Sequence, residues 1–210
     1  MLLGVFPFGM IYGVLALGAG IPAEASQAMS AIVFAGSSQF VVTQMAGSNT
    51  PALVMVFTIF IVNLRHALYS ASITPYLQRL SGRWKGLLAY LLTDEAYAVA
   101  IINYDREGAR PSSHWYLFGA GITLWSTWQV STAAGILLGA VIPASWSLDF
   151  TLALTFIALV MPLLKDRPSL GSALTAGIVA VLGVNLPYKL GLVAAALTGI
   201  LVGMLLEKRK

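Results

Sequence analysis

The sequence predicts an all-α protein, a polytopic transmembrane helical bundle of about seven to eight apolar segments with short and broken helices. Three observations predict it. The chain of 210 residues is 58% hydrophobic and only 10% charged, against about 25% charged in a soluble domain. Its mean hydropathy is +0.83, so it cannot cover itself with polar surface. Apolar runs near 20 residues recur along it, the length that spans a hydrocarbon layer of ~30 Å. A β-barrel would instead need alternating segments of ~10 residues.

In chain order the apolar segments are read at 2–19, 28–46, 52–73, 86–103, 115–141, 150–164, 172–187 and 188–206. The first follows no basic leader and no small-residue cleavage site, so it is read as a span and not as a signal peptide. Short Gly-, Pro- and Ser-rich linkers join the rest, and residues 1–210 are read as a single transmembrane domain. The net charge of +4 is read as Lys and Arg in cytoplasmic loops, not as a nucleic-acid surface. The absence of cysteine removes disulfides and thiolate metal sites. Two histidines, His66 and His114, are too few for a metal enzyme. No cofactor or metal is expected.

A weak internal repeat is present. Ile21-Pro22-Ala23 recurs as Ile142-Pro143-Ala144 at an offset of 121, and Val62-Asn63-Leu64 as Val184-Asn185-Leu186 at 122. This sets possible repeat halves at 1–103 and 115–210. Basic residues cluster at Arg79, Arg83 and Lys85, at Lys165 and Arg167, and at the C-terminal end. Placing all of them in the cytoplasm requires one intervening segment not to cross. The run 86–103 is the expected one, because Asp94 and Glu95 sit at its centre. One returning segment would invert the second half relative to the first.

The polar residues inside apolar segments are the candidate site. Asn63, Arg65 and His66 interrupt 52–73, and Tyr69 lies i+4 from Arg65 and i+3 from His66, on one helical face. A charge at the bilayer centre costs at least ~2.5–3.5 kcal/mol, so Arg65 needs an anionic or carbonyl partner. Asp94 or Glu95 would supply it, and the other carboxylate could take up and release a proton. Gly36, Ser37, Ser38 and Gln39 fit either an unwound, ligand-binding stretch or ordinary small-residue packing. Pro187 cannot continue the segment before it. Under the repeat this places Asn185 opposite Asn63, with the two Asn-Leu motifs facing across a buried cavity.

FAGSSQF, NLRHALY, TDEAY and MPLLKDRP, in this order, resemble the AzlC family of branched-chain amino acid permeases. The resemblance runs from about Phe6 to the end, and family members usually begin some residues earlier. It implies an inner-membrane, multi-pass exporter of branched-chain amino acids, notably valine, working with a small hydrophobic AzlD-type subunit. It carries over Ser37, Ser38, Gln39, Asn63, Arg65, His66, Tyr69, Asp94 and Glu95. The expected protein is thus a proton-coupled secondary transporter, embedded in lipid, and not an enzyme. A Ser38–His66 hydrolase lacks a nucleophile-elbow signature. A channel, or an importer of another small solute, is the alternative. A helical partner would use Gly-rich faces such as Gly191, Gly199 and Gly203, the last two forming a small-xxx-small pair.

Overall fold

The computed structural model describes residues 2–48, 50–108, 112–139, 164, 166–187 and 190–207. Among them every regular element is helical. In order these are α1 (Leu2–Gly18), α2 (Ala23–Ile32), α3 (Gly36–Gly47), α4 (Ala52–Leu77), α5 (Gly82–Tyr90), α6 (Asp94–Glu107), α7 (Ser113–Gly139), α8 (Arg167–Leu182) and α9 (Leu190–Glu207). Two of them, α4 and α9, are long and apolar enough to cross a membrane. The expected segment 150–164 lies, but for Leu164, outside the described residues. The chain forms two compact units, Met1–Gly47 with Val62–Ile142, and Ser48–Ile61 with Pro143–Lys210.

In the first unit α7, about 40 Å long at 1.5 Å per residue, is the central strut. α1 packs along its second half in parallel. The register is set by glycines. A Cβ on Gly13 would lie 2.6 Å from the Thr132 carbonyl oxygen and 2.9 Å from the Gly135 carbonyl carbon. Likewise, Gly9 meets Ser131, Gly135 meets Met10, and Gly139 meets Val14. Without side chains in the way the two backbones touch, the device by which helices associate without a hydrophobic driving force.

The segment read at 28–46, where Gly36–Gln39 left unwinding and plain packing both open, is two helices. α2 stops at Ile32, and Phe34 takes φ 41°, a left-handed conformation uncommon outside glycine. α3 then runs back to the end where α2 began. Phe40 packs edge-on to Phe8 and Tyr12, and Gly47 reaches Ala19.

The run 86–103 is also broken, as its central carboxylates predicted. α5 ends at Tyr90, and after Leu91 and Leu92, Thr93 caps α6 by accepting from Ala96 N–H at 3.2 Å. α5 enters at the end where α7 begins, with the Trp84 ring against His114, Trp115 and Phe118. α6 returns to that end, where Tyr104 Oη donates to the Ser113 carbonyl at 2.8 Å. From Val62 onward α4 runs alongside α6 in parallel, pairing Arg65 with Asp94, Tyr69 with Tyr97 and Tyr76 with Asp105.

Two hairpins therefore enter from opposite ends of α7, and their turns meet at its middle. Gly36 lies against the Trp128 ring and Leu91 against Gly121. The sequence anticipated one returning segment, and the second restores the parity. α1 and α7 are equivalent under the offset of about 121, and they run parallel. They do not carry the inversion expected between the halves. The opposed sense instead relates the hairpin after α1 to the hairpin after α4.

In the second unit α8 and α9 form an antiparallel hairpin. Asp166 caps α8, accepting from Ser169 N–H at 2.9 Å. Gly183 closes backbone-to-backbone on Gly191, Gly199 meets Ala176, and Ser172 Oγ donates to the Gly199 carbonyl at 2.7 Å. Gly203 lies against Ser172 as well. The glycines offered to a partner helix are thus occupied by α8. Asn185 sits in the turn after α8, whereas Asn63 is inside the unbroken α4. The two Asn-Leu motifs therefore differ in local structure, because the break that Pro187 imposes has no counterpart at Leu64-Arg65.

Candidate functional site

Where the two hairpin turns meet, α3 and α6 both begin, and Arg65 reaches them from the middle of α4. Its Nη1–H donates to Asp94 Oδ2 at 3.3 Å, and its Nη2–H donates to Ser37 Oγ at 2.5 Å. Ser38 Oγ donates to Asn63 Oδ1 at 2.7 Å. One cation thus ties the first turns of two half-length helices to a third, longer one. Each helix N-terminus carries about +0.5 charge from unpaired backbone N–H groups. Asp94 at the start of α6 is well placed for that field. The single carboxylate on Arg65 does not balance a guanidinium flanked by two such ends.

Nor is the guanidinium saturated. Arg65 Nε is buried with no hydrogen-bond partner, although an arginine has five donors in a planar fork. The Arg65 and Asp94 side chains are 28% and 47% exposed, so a solute can approach the pair. Glu95, the next residue, is partly buried and forms no ion pair among the described residues. The polar residues of α4 continue along one face: the His66 ring is edge-on to Tyr69 at 6.0 Å, and Tyr69 stacks on Tyr97 at 4.6 Å. Tyr97 Oη shares a 2.9 Å hydrogen bond with Ser72 Oγ.

The structure thus brings together Ser37, Ser38, Asn63, Arg65 and Asp94, with Tyr69 and His66 one turn further along α4. Gly36 starts α3, where the Trp128 ring leaves no room for a side chain. Gln39 turns the other way. Its Nε2–H donates to Ser30 Oγ at 2.8 Å and its Oε1 accepts from Trp128 Nε1–H at 3.0 Å. Ser30 shares a further 2.9 Å bond with Thr132. Fully buried, Gln39 fastens α2, α3 and α7 together. Asn185 belongs to the second unit.

Sequence reasoning passed over Tyr97, and it singled out Gln39 without its partners Ser30, Thr132 and Trp128. Asp94 and Tyr97 are three apart on one face, the same spacing that singled out His66 and Tyr69, so Tyr97 had a usable signal. The partners of Gln39 had none, since they are scattered over 102 residues. Tyr90 joins the two turns: its hydroxyl donates to the Ala31 carbonyl and accepts from Trp125 Nε1–H at 2.6 Å.

The family model described as AzlC protein matches residues 1–142, which include both hairpins and every residue around Arg65. The chain belongs to the AzlC family. Its relatives align over most of its length. The inner membrane protein YgaZ of Escherichia coli is 29% identical over 98% of this chain and 84% of that relative. An uncharacterized membrane protein of Archaeoglobus fulgidus is 30% identical over 95% of this chain and 87% of its own length. The branched-chain amino acid transport protein AzlC of Bacillus subtilis is 27% identical over 82% of this chain and 67% of its own. No solved structure matches. The AzlC model thus spans the part of this chain that builds the Arg65 centre.

Proposed function

We propose that this AzlC family chain is a polytopic inner-membrane secondary transporter that exports branched-chain amino acids with proton coupling. The observation that carries the reading is Arg65, held at the middle of α4 between the first turns of two broken helices. Discontinuous helices whose N-termini converge near the midplane are a recurring way to bind an anionic substrate group. Irregular backbone at that depth is tolerated where it is enclosed by protein or lines a water-filled cavity. Family membership and the Bacillus subtilis relative's name support amino acid transport.

On this reading the hairpins α2–α3 and α5–α6 are re-entrant, and residues 1–210 serve as a single transport domain. Arg79, Arg83 and Lys85 cluster near the start of α5, so that end faces the cytoplasm by the positive-inside rule. Arg65 receives the substrate carboxylate, with Ser37, Ser38 and Asn63 beside it. Glu95, which forms no ion pair among the described residues, serves the ammonium or the transported proton. His66 and Tyr69 border the site, and Gly36 and Gln39 fix the α3 turn. A small AzlD-type subunit completes the transporter in the lipid. Flux of radiolabelled amino acids in inside-out and right-side-out vesicles, with and without that subunit, tests direction and partner together. Outward movement of valine, leucine and isoleucine is expected. Efficient movement of another solute with none of these three overturns the reading.

A further inference from the structure

We propose that Asp94 is a tethered competitor: it occupies Arg65 in the empty site, and the substrate's carboxylate displaces it on binding. This rests on the transport reading and deepens it. The Arg65–Asp94 contact is a single 3.3 Å hydrogen bond from Nη1, not the two-pronged pairing that makes arginine–carboxylate bonds strong. The Nε–H beside it is buried and unpartnered, and Nη2 is turned to Ser37 Oγ. A carboxylate that turns the guanidinium to present its Nε–Nη2 edge would gain one unpartnered donor and one held only by a hydroxyl, and the same turn breaks the single Nη1 bond to Asp94. The two helix N-termini at the site favour the arriving carboxylate on the cation and the released Asp94 beside it.

Asp94 is also suited to leave. It is the first residue of α6, where backbone N–H groups can hold its carboxylate after release. Its side chain is the more exposed of the pair, and Tyr97, one turn on, anchors α6 to Tyr69 and Ser72 independently of the ion pair. Occupation of Arg65 by Asp94 then lowers apparent substrate affinity by the fraction of time the cation is free.

The test is binding by purified full-length protein in detergent with three probes: L-valine, 3-methylbutanoate (the carboxylate without the ammonium) and isobutylamine (the ammonium without the carboxylate). Asp94→Asn is expected to tighten L-valine and 3-methylbutanoate about tenfold, as for a cation free about a tenth of the time, and to leave isobutylamine unchanged. Equal or weaker carboxylate binding by the variant overturns the proposal, and assigns Asp94 to the ammonium or to structure. A second measurement needs no variant. On wild-type protein, a carbodiimide should modify Asp94 faster with 3-methylbutanoate present, as located by fragmentation mass spectrometry. Protection or no change overturns the proposal. Valine flux by the wild type in liposomes separates the two readings. Flux without Asp94 release removes the competitor and keeps the transporter, whereas release by 3-methylbutanoate without valine flux does the reverse.

Discussion

Arg65 on α4 and Asp94 at the start of α6 are 3.3 Å apart, and Arg65 reaches Ser37 at the start of α3 with its other terminal nitrogen. The pair therefore joins both hairpin turns, and its loss should be felt at both. Arg65→Ala leaves Asp94 without its partner, and breaking a fully buried pair typically costs about 3–5 kcal/mol. Partial exposure puts this pair below that range. Arg65→Ala should lower thermal stability in detergent and abolish transport. The double variant with Asp94→Asn should regain stability without regaining transport. A double variant no more stable than Arg65→Ala would show that the pair is not coupled.

The hairpin topology makes a labelling prediction. The natural chain has no cysteine, so each introduced one reports alone. Gly82→Cys and Ser112→Cys, at the end shared by α5 and α7, should react with an impermeant maleimide from one side of the membrane. Ala25→Cys and Gly47→Cys should react from the other. All four positions are exposed. Labelling of positions 25 and 47 from opposite sides would mean that α2–α3 crosses.

The α1–α7 contact depends on missing side chains. Gly13→Val would drive a side chain into the Thr132 and Gly135 backbone, and overpacking costs about 1–3 kcal/mol. Lower melting temperature and loss of monodispersity are expected. Gly4→Ala and Gly119→Ala, which meet nothing within 4 Å, should behave as wild type.

Much of this was legible in the sequence, and the physics explains which part. Apolar runs of span length marked α1, α4, α7 and α9. A carboxylate pair inside an apolar run marked the α5–α6 break, because a charge in hydrocarbon needs an exit or a partner. The α2–α3 break was marked only by a glycine, two hydroxyls and an amide, which fit an unwound stretch and an intact helix equally well. Its cause, Phe34 with φ 41° against the Tyr90 ring at 6.1 Å, is tertiary. The choice of Asp94 over Glu95 for Arg65 was likewise open, since adjacent residues differ by about 100° in direction and only the start point of α6 decides between them.

Gln39 should separate structure from transport. Gln39→Leu strips partners from Ser30 Oγ and Trp128 Nε1 in a fully buried cluster. Ser30 keeps Thr132, whereas Trp128 Nε1 is left unsatisfied at a cost of about 1–3 kcal/mol, so stability should fall. Substrate affinity of the folded fraction should change little, as measured by binding normalised to monodisperse protein. A selective loss of affinity at unchanged stability would move Gln39 into the binding site.

The central claim is that Arg65 holds the carboxylate of an apolar amino acid inside the membrane. Its most direct test is uptake of radiolabelled L-valine by proteoliposomes of the wild type and of Arg65→Gln, co-reconstituted with the small subunit and matched for monodispersity. The account predicts saturable wild-type flux, competed by leucine, isoleucine and 3-methylbutanoate but not by isobutylamine, and no flux above background for Arg65→Gln. A well-folded Arg65→Gln protein that moves L-valine like the wild type would contradict it.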